Sequence, residues 1–112
     1  IKNGRNYSPE RIEDLATAVQ GVGRGAAFGV FDSRRETEKI IFFVEIHARF
    51  LKDAVMRDQM RLKIINSLSS AGFDVDEVHL VRRGTLSRTT SGKIRRRKIR
   101  LQYLEDLGEP SK

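Results

Sequence analysis

The stretch Thr89-Thr90-Ser91-Gly92-Lys93-Ile94-Arg95-Arg96 gathers hydroxyls, a glycine and a lysine immediately ahead of further cations. It reads as a flexible loop. Glycine lets backbone approach a ligand with no side chain in the way. Hydroxyls and N–H groups bind phosphate oxygens, and lysine brings a mobile point charge. Such a loop suits stabilising negative charge that develops on a transferring phosphoryl or acyl group. The same composition also describes an exposed basic loop with no ligand. The Gly92-Lys93 pair is not a P-loop, which needs glycine where Ser87 stands and serine or threonine where Ile94 stands.

The loop lies in a cationic block. Between Leu80 and Leu101 stand Arg82, Arg83, Arg88, Lys93, Arg95, Arg96, Arg97, Lys98 and Arg100, with no acid among them. The chain's net charge of +7 is therefore unevenly placed. A block of this kind attracts phosphates, nucleic acid or an acidic protein, or else forms a solvated face. A small basic nucleic-acid-binding domain is one reading. Against it, the block has no aromatic residue for base stacking before Tyr103 and no recognition motif.

Other residues that invite a chemical role have plainer ones. His47 and His79 have no companion at metal-ligand spacing. Gly21-x-Gly23-x-Gly25 follows a helical pattern and leads into a strand, the reverse of a dinucleotide fingerprint, so a helix-to-strand turn is expected. Glu13 and Asp14 suit the start of a helix, where the dipole favours negative charge. The absence of cysteine excludes disulfides, thiolate metal sites and a cysteine nucleophile. No apolar run reaches the roughly 18 residues of a membrane span, and no signal peptide is visible, so a cytoplasmic location is expected. The sequence opens at Ile1, so a piece excised from a larger protein, holding part of a site, is expected.

The elements that must position the loop are legible from periodicity. Ser8-Pro9 starts a helix, serine capping free N–H groups and proline suiting the first position. Ile12, Leu15, Ala16 and Val19 form its apolar stripe. The β-branched and aromatic runs 26–31 and 40–46, separated by a polar turn, predict a hairpin of two strands. A helix over about 52–71 carries Met56, Met60, Ile64 and Leu68, widened by Val55 and Ile65 and ended by Gly72. A short strand over 75–81 precedes the loop. A last helix over 98–107 places Ile99, Tyr103 and Leu107 four apart, with Leu104 widening the stripe. The 112 residues thus predict a single α+β domain, a small sheet of about three strands including a hairpin with helices packed on it.

The segment Arg88-Thr89-Thr90-Ser91-Gly92-Lys93-Ile94-Arg95-Arg96, preceded by Gly84-Thr85-Leu86, resembles the C-terminal signature of the adenylate-forming superfamily. That superfamily includes acyl-CoA synthetases, peptide-synthetase adenylation domains and luciferases. Its usual form is P-x-T-x-S-G-K-I-x-R, and Ser87 stands where proline is common. The stretch Gly4-Arg5-Asn6-Tyr7-Ser8-Pro9-Glu10-Arg11-Ile12-Glu13 is similar to the segment just after the hinge between large and small subdomains, in the form nearest fatty acyl-AMP ligases. Phe43-Val44-Glu45-Ile46 falls where these proteins have a central strand ending in a Val-Glu-like pair, so the resemblance covers nearly the whole chain.

The resemblance implies that residues 1–112 are the C-terminal lid of a larger ligase whose N-terminal adenylation subdomain supplies most of the site. Lys93 then corresponds to the lysine that reaches the carboxylate substrate and the α-phosphate region, beside Thr89, Ser91 and Gly92. Gly4, Arg5 and Asn6 correspond to the loop that swings in for the second half-reaction. The implied reaction joins a fatty acid to ATP, with Mg2+ assisting, giving acyl-AMP for transfer to an acyl carrier protein. An acyl-CoA synthetase lid, with CoA as acceptor, is the alternative. Carrier proteins are usually acidic, so Arg82, Arg83, Arg95 and Arg96 are candidate docking cations. Alone, the fragment is expected to bind no cofactor and catalyse nothing.

Overall fold

The computed structural model describes residues 8–107. Helix α1 (Pro9–Ala16) opens as its sequence predicts, with Ser8 Oγ accepting the Arg11 N–H and proline in the first turn. It stops at Ala16, earlier than the apolar stripe implies. The chain continues to Val22 in tight turns, through N–H donation from Ala18 to Leu15, Val19 to Ala16 and Val22 to Val19. Val19 still packs on the core, because these turns keep it on the same side as Ile12 and Ala16.

Strands β1 (Val22–Asp32) and β2 (Thr37–Ile46) form the expected antiparallel hairpin, and β3 (Glu77–Arg82) adds parallel to β2. The sheet order is β1-β2-β3, so β2 is central. That place explains its apolar run from Ile40 to Val44, since a strand covered on both faces has no solvent side. The glycines correct the expectation of one turn. Gly21 turns the chain at a φ of +92°, whereas Gly23 and Gly25 lie inside β1. A Cβ on Gly25 would stand 2.6 Å from the Phe42 ring and 2.8 Å from the Phe43 carbonyl oxygen, so glycine permits a close crossing there.

After a 3₁₀ turn at Ala48–Leu51, which periodicity did not reveal, α2 (Ala54–Ser70) begins with Asp53 accepting the Met56 N–H. It ends in a Schellman motif: the Phe73 N–H reaches the Leu68 carbonyl, the Gly72 N–H reaches that of Ser69, and Gly72 has a φ of +92°. Met60, Ile64 and Leu68 are buried, whereas Val55 faces solvent. Helix α3 (Arg96–Asp106) starts two residues before its predicted start; it buries Ile99, Tyr103 and Leu104 and leaves Leu107 exposed.

Alternation along β2 divides the core. Ile40, Phe42, Val44 and Ile46 face α1 and α2, joined by Ile12, Ala27, Met60, Ile64 and Leu68. Ile41 faces the opposite side, where Phe28, Leu86, Ile99, Tyr103 and Leu104 form the second cluster. The domain is therefore a sheet with α1 and α2 on one face and α3 on the other.

Candidate functional site

The lysine loop is an ordered hairpin rather than the flexible loop its composition suggested. The Thr89 N–H donates to the Lys93 carbonyl at 2.8 Å, and the Gly92 N–H closes the turn onto the Thr89 carbonyl at 2.9 Å. Arg88 and Ile94 pair across the hairpin, and the Arg95 N–H reaches the Ser87 carbonyl at 2.8 Å. Gly92 sits at a φ of +89° with open space around it, so glycine is needed for the backbone conformation and not for room. Thr89 serves the turn too. Its Oγ1 accepts the Lys93 N–H at 3.2 Å and lies 3.0 Å from Ser91 Oγ.

Lys93 is exposed immediately after this turn. Among the described residues its ammonium has no hydrogen-bond or ion-pair partner. It borders a groove of about 640 Å3 between the hairpin and α1, lined also by Glu10, Glu13, Arg24 and Arg96. A lysine presented in this way is a point charge available to a ligand approaching from outside the domain.

Two carboxylates anchor the hairpin, and neither function was apparent from sequence. Glu45, on β2, is the buried charged residue of the core at 2% exposure. It accepts the Leu86 N–H at 3.0 Å and the Arg88 guanidinium. Burial alone would push its carboxyl up, but donation from the Leu86 N–H, Arg88 and the Gly84 N–H outweighs burial and holds it below the usual carboxylate range. The available sequence signal was a lone acid in the apolar run of β2, which must find partners once buried. Glu13 binds Arg96 with both oxygens, at 2.9 and 3.0 Å, and its Oε2 also accepts the Ala27 N–H of β1 at 2.9 Å. Its main contacts are thus with other elements rather than with its own helix terminus. Arg24 adds a hydrogen bond of 2.8 Å from its guanidinium to the Gly92 carbonyl.

The cationic block divides by partner. Arg82, Arg83 and Arg95 are exposed, whereas Arg96 is half-buried and directed at Glu13, with Glu10 at 3.5 Å. Arg88 points inward and Arg100 donates to the Gly29 carbonyl at 3.0 Å. Gly4, Arg5 and Asn6 lie outside the described residues. His79 belongs to a polar cluster under α3, where Glu77 accepts from it, from Tyr103 and from Lys39, each at 2.9 Å. Among the described residues no group of His, Asp and Glu side chains is placed to hold a metal ion, and no helix is long and apolar enough to cross a membrane.

By fold and by sequence relatives the chain matches the C-terminal subdomains of adenylate-forming enzymes. Among solved structures it superposes on McyG A-PCP complexed with phenylalanyl-adenylate with a TM-score of 0.80 and 25% identity, covering 96% of this chain and 19% of that one. The fatty acid AMP ligase from Legionella pneumophila gives a TM-score of 0.70 and 27% identity, over 91% of this chain and 18% of that one. In sequence, the chain is 37% identical over 112 residues to the long-chain-fatty-acid–AMP ligase FadD28 of Mycobacterium tuberculosis, covering 95% of this chain and 19% of that protein. It is 35% identical over 108 residues to the fatty-acid–CoA ligase fadD21 of Mycobacterium leprae, covering 92% of this chain and 18% of that protein. The chain therefore spans less than a fifth of the length of these relatives. No protein-family model matches it. These relatives support a ligase subdomain and lend nothing to the nucleic-acid reading.

Proposed function

We infer that the chain is the lid of a fatty acyl-AMP ligase and that Lys93 supplies its mobile charge for adenylation. The observation that carries this reading is a lysine, unpartnered among the described residues, presented by an ordered hairpin in a chain whose relatives include fatty-acid–AMP ligases. In the adenylation step the fatty-acid carboxylate attacks the α-phosphorus of ATP and pyrophosphate leaves. Lys93 sits between two anions as they approach and offsets their repulsion, a gain that grows as charge accumulates on the α-phosphoryl oxygens. Thr89, Ser91 and Gly92 hold the lysine backbone at the turn. Magnesium would assist this nucleotidyl transfer in the full-length enzyme.

The acyl group then passes to a thiol acceptor, after the segment containing Gly4, Arg5 and Asn6 replaces the lysine hairpin at the site. An acyl carrier protein is the proposed acceptor, and the exposed Arg82, Arg83 and Arg95 would suit docking of such an acidic partner. CoA phosphates would meet the same cations, and offering the full-length enzyme each acceptor separates the two.

The test of Lys93 is its replacement in the full-length protein. Lys93→Ala is expected to lower acyl-AMP formation by about 10²- to 10³-fold, the range for removing one charge-stabilising donor. Acyl transfer from preformed acyl-AMP stays unchanged. Equal loss in both half-reactions would contradict a role confined to adenylation.

A further inference from the structure

We propose that Glu13 and Glu45 are positioning residues that aim Lys93, acting through Arg88 on the incoming arm of its hairpin and Arg96 where the outgoing arm enters α3. This rests on the adenylation role assigned to Lys93 above. The lysine side chain has no partner of its own among the described residues, so its ammonium is placed by the hairpin backbone alone. A two-stranded ribbon this short does not hold its orientation unaided. Each arm is instead tied to the domain body by a carboxylate that is itself fixed twice.

On the incoming arm, Glu45 stands on the central strand. One oxygen accepts the Leu86 N–H at 3.0 Å and the other meets the Arg88 guanidinium. Where the outgoing arm enters α3, Arg96 follows Lys93 by three residues and forms a two-pronged pair with Glu13 at 2.9 and 3.0 Å. That pair fixes direction as well as distance. Glu13 Oε2 also accepts the Ala27 N–H at 2.9 Å, so α1, the outer edge of β1 and the start of α3 meet at one carboxylate. The two acids approach the hairpin from different elements, β2 and α1, so together they resist its rotation as well as its lifting. Misplacement of a reacting group by about 1 Å costs on the order of 10²-fold in rate, which makes aim as consequential as charge.

The experiment compares the two half-reactions in the full-length ligase carrying Glu13→Gln, Glu45→Gln, Lys93→Ala and the Glu13→Gln/Lys93→Ala pair. Glutamine keeps the shape and removes the charge-assisted pair. Glu13→Gln is expected to slow acyl-AMP formation by about 10-fold or more through kcat, with KM for ATP within about twofold and transfer from preformed acyl-AMP unchanged. In the Lys93→Ala background the same change should have no further effect, because a residue that works through the lysine has nothing left to aim. Glu45→Gln should repeat the pattern; Glu13, part-buried on α1 rather than in the core, carries the test if the Glu45 variant does not fold. A multiplicative loss in the pair, or equal loss in both half-reactions, would overturn the positioning role and leave the lysine assignment intact. If Lys93→Ala itself spares adenylation, the functional reading fails instead.

Discussion

Replacing Arg88 by methionine isolates the anchor beneath the hairpin, because methionine keeps much of the arginine stem and removes its charge. Glu45 is 2% exposed and the Arg88 side chain 28%, so the variant leaves a carboxylate in the core that retains the Leu86 and Gly84 N–H donors. Losing a hydrogen bond to a charged group costs about 1.5–3 kcal/mol, and breaking a fully buried ion pair about 3–5 kcal/mol. The partial exposure of Arg88 and the surviving donors place this case at about 2–3 kcal/mol near neutral pH. With a slope of about 1–3 kcal/mol per molar urea for a small domain, the unfolding midpoint should fall by roughly 0.7–3 M. Urea titrations of the 112-residue chain followed by far-ultraviolet circular dichroism measure it.

The pH dependence makes the same reasoning sharper. In the native chain the Glu45 carboxyl lies below its ordinary value of 4.5. Without Arg88, burial persists while one opposing donor is gone, so the carboxyl rises. The variant then protonates Glu45 at a higher pH than the native chain, and its penalty shrinks as pH falls. Adding Glu45→Gln to Arg88→Met should recover part of the loss, because no unpaired charge remains. A penalty below about 0.5 kcal/mol at pH 7, or one unchanged at acid pH, would refute a functioning buried pair.

The native chain should lose stability below about pH 4.5, because Glu45 and Glu77 both titrate below that ordinary value when folded. For Glu77, burial is outweighed by donation from His79, Lys39 and Tyr103, so its contribution is complete above the unfolded value and disappears as pH falls through the folded one; Glu77→Gln should flatten the acid limb of a melting-temperature profile. Gly25→Ala should destabilise by about 1–3 kcal/mol through collision with Phe42 and the Phe43 carbonyl, while Gly92→Ala should cost about 1–2 kcal/mol through its positive φ alone. Thermal melts rank the two, and structures of the variants should show displaced core atoms only for Gly25. Charge reversal of Arg82, Arg83 and Arg95 together should slow transfer to an acidic carrier at low salt, with the difference vanishing as salt rises; a rate unchanged at every salt concentration removes the docking role.

The sequence alone carried the elements and the chemical group. Serine before proline, the four-residue spacing of Met60, Ile64 and Leu68, and Gly72 at a helix end are local signals, and local geometry reproduced them. Thr89 to Lys93 likewise marked a loop with chemical potential, because short-range residue type decides which groups a loop can present. What remained hidden were contacts between residues far apart in the chain. Glu45 and Arg88 are separated by 43 positions, and Glu13 and Arg96 by 83. No periodicity links such pairs; they meet because β3 returns parallel to β2 and α3 closes over the far face of the sheet. Residue type therefore determined that a lysine is offered, and the tertiary structure decided that the arginines flanking its hairpin are tied to two carboxylates from different elements. The reason is physical: a charge in a loop exists wherever the chain puts it, but its direction is defined only by the body against which the loop is packed.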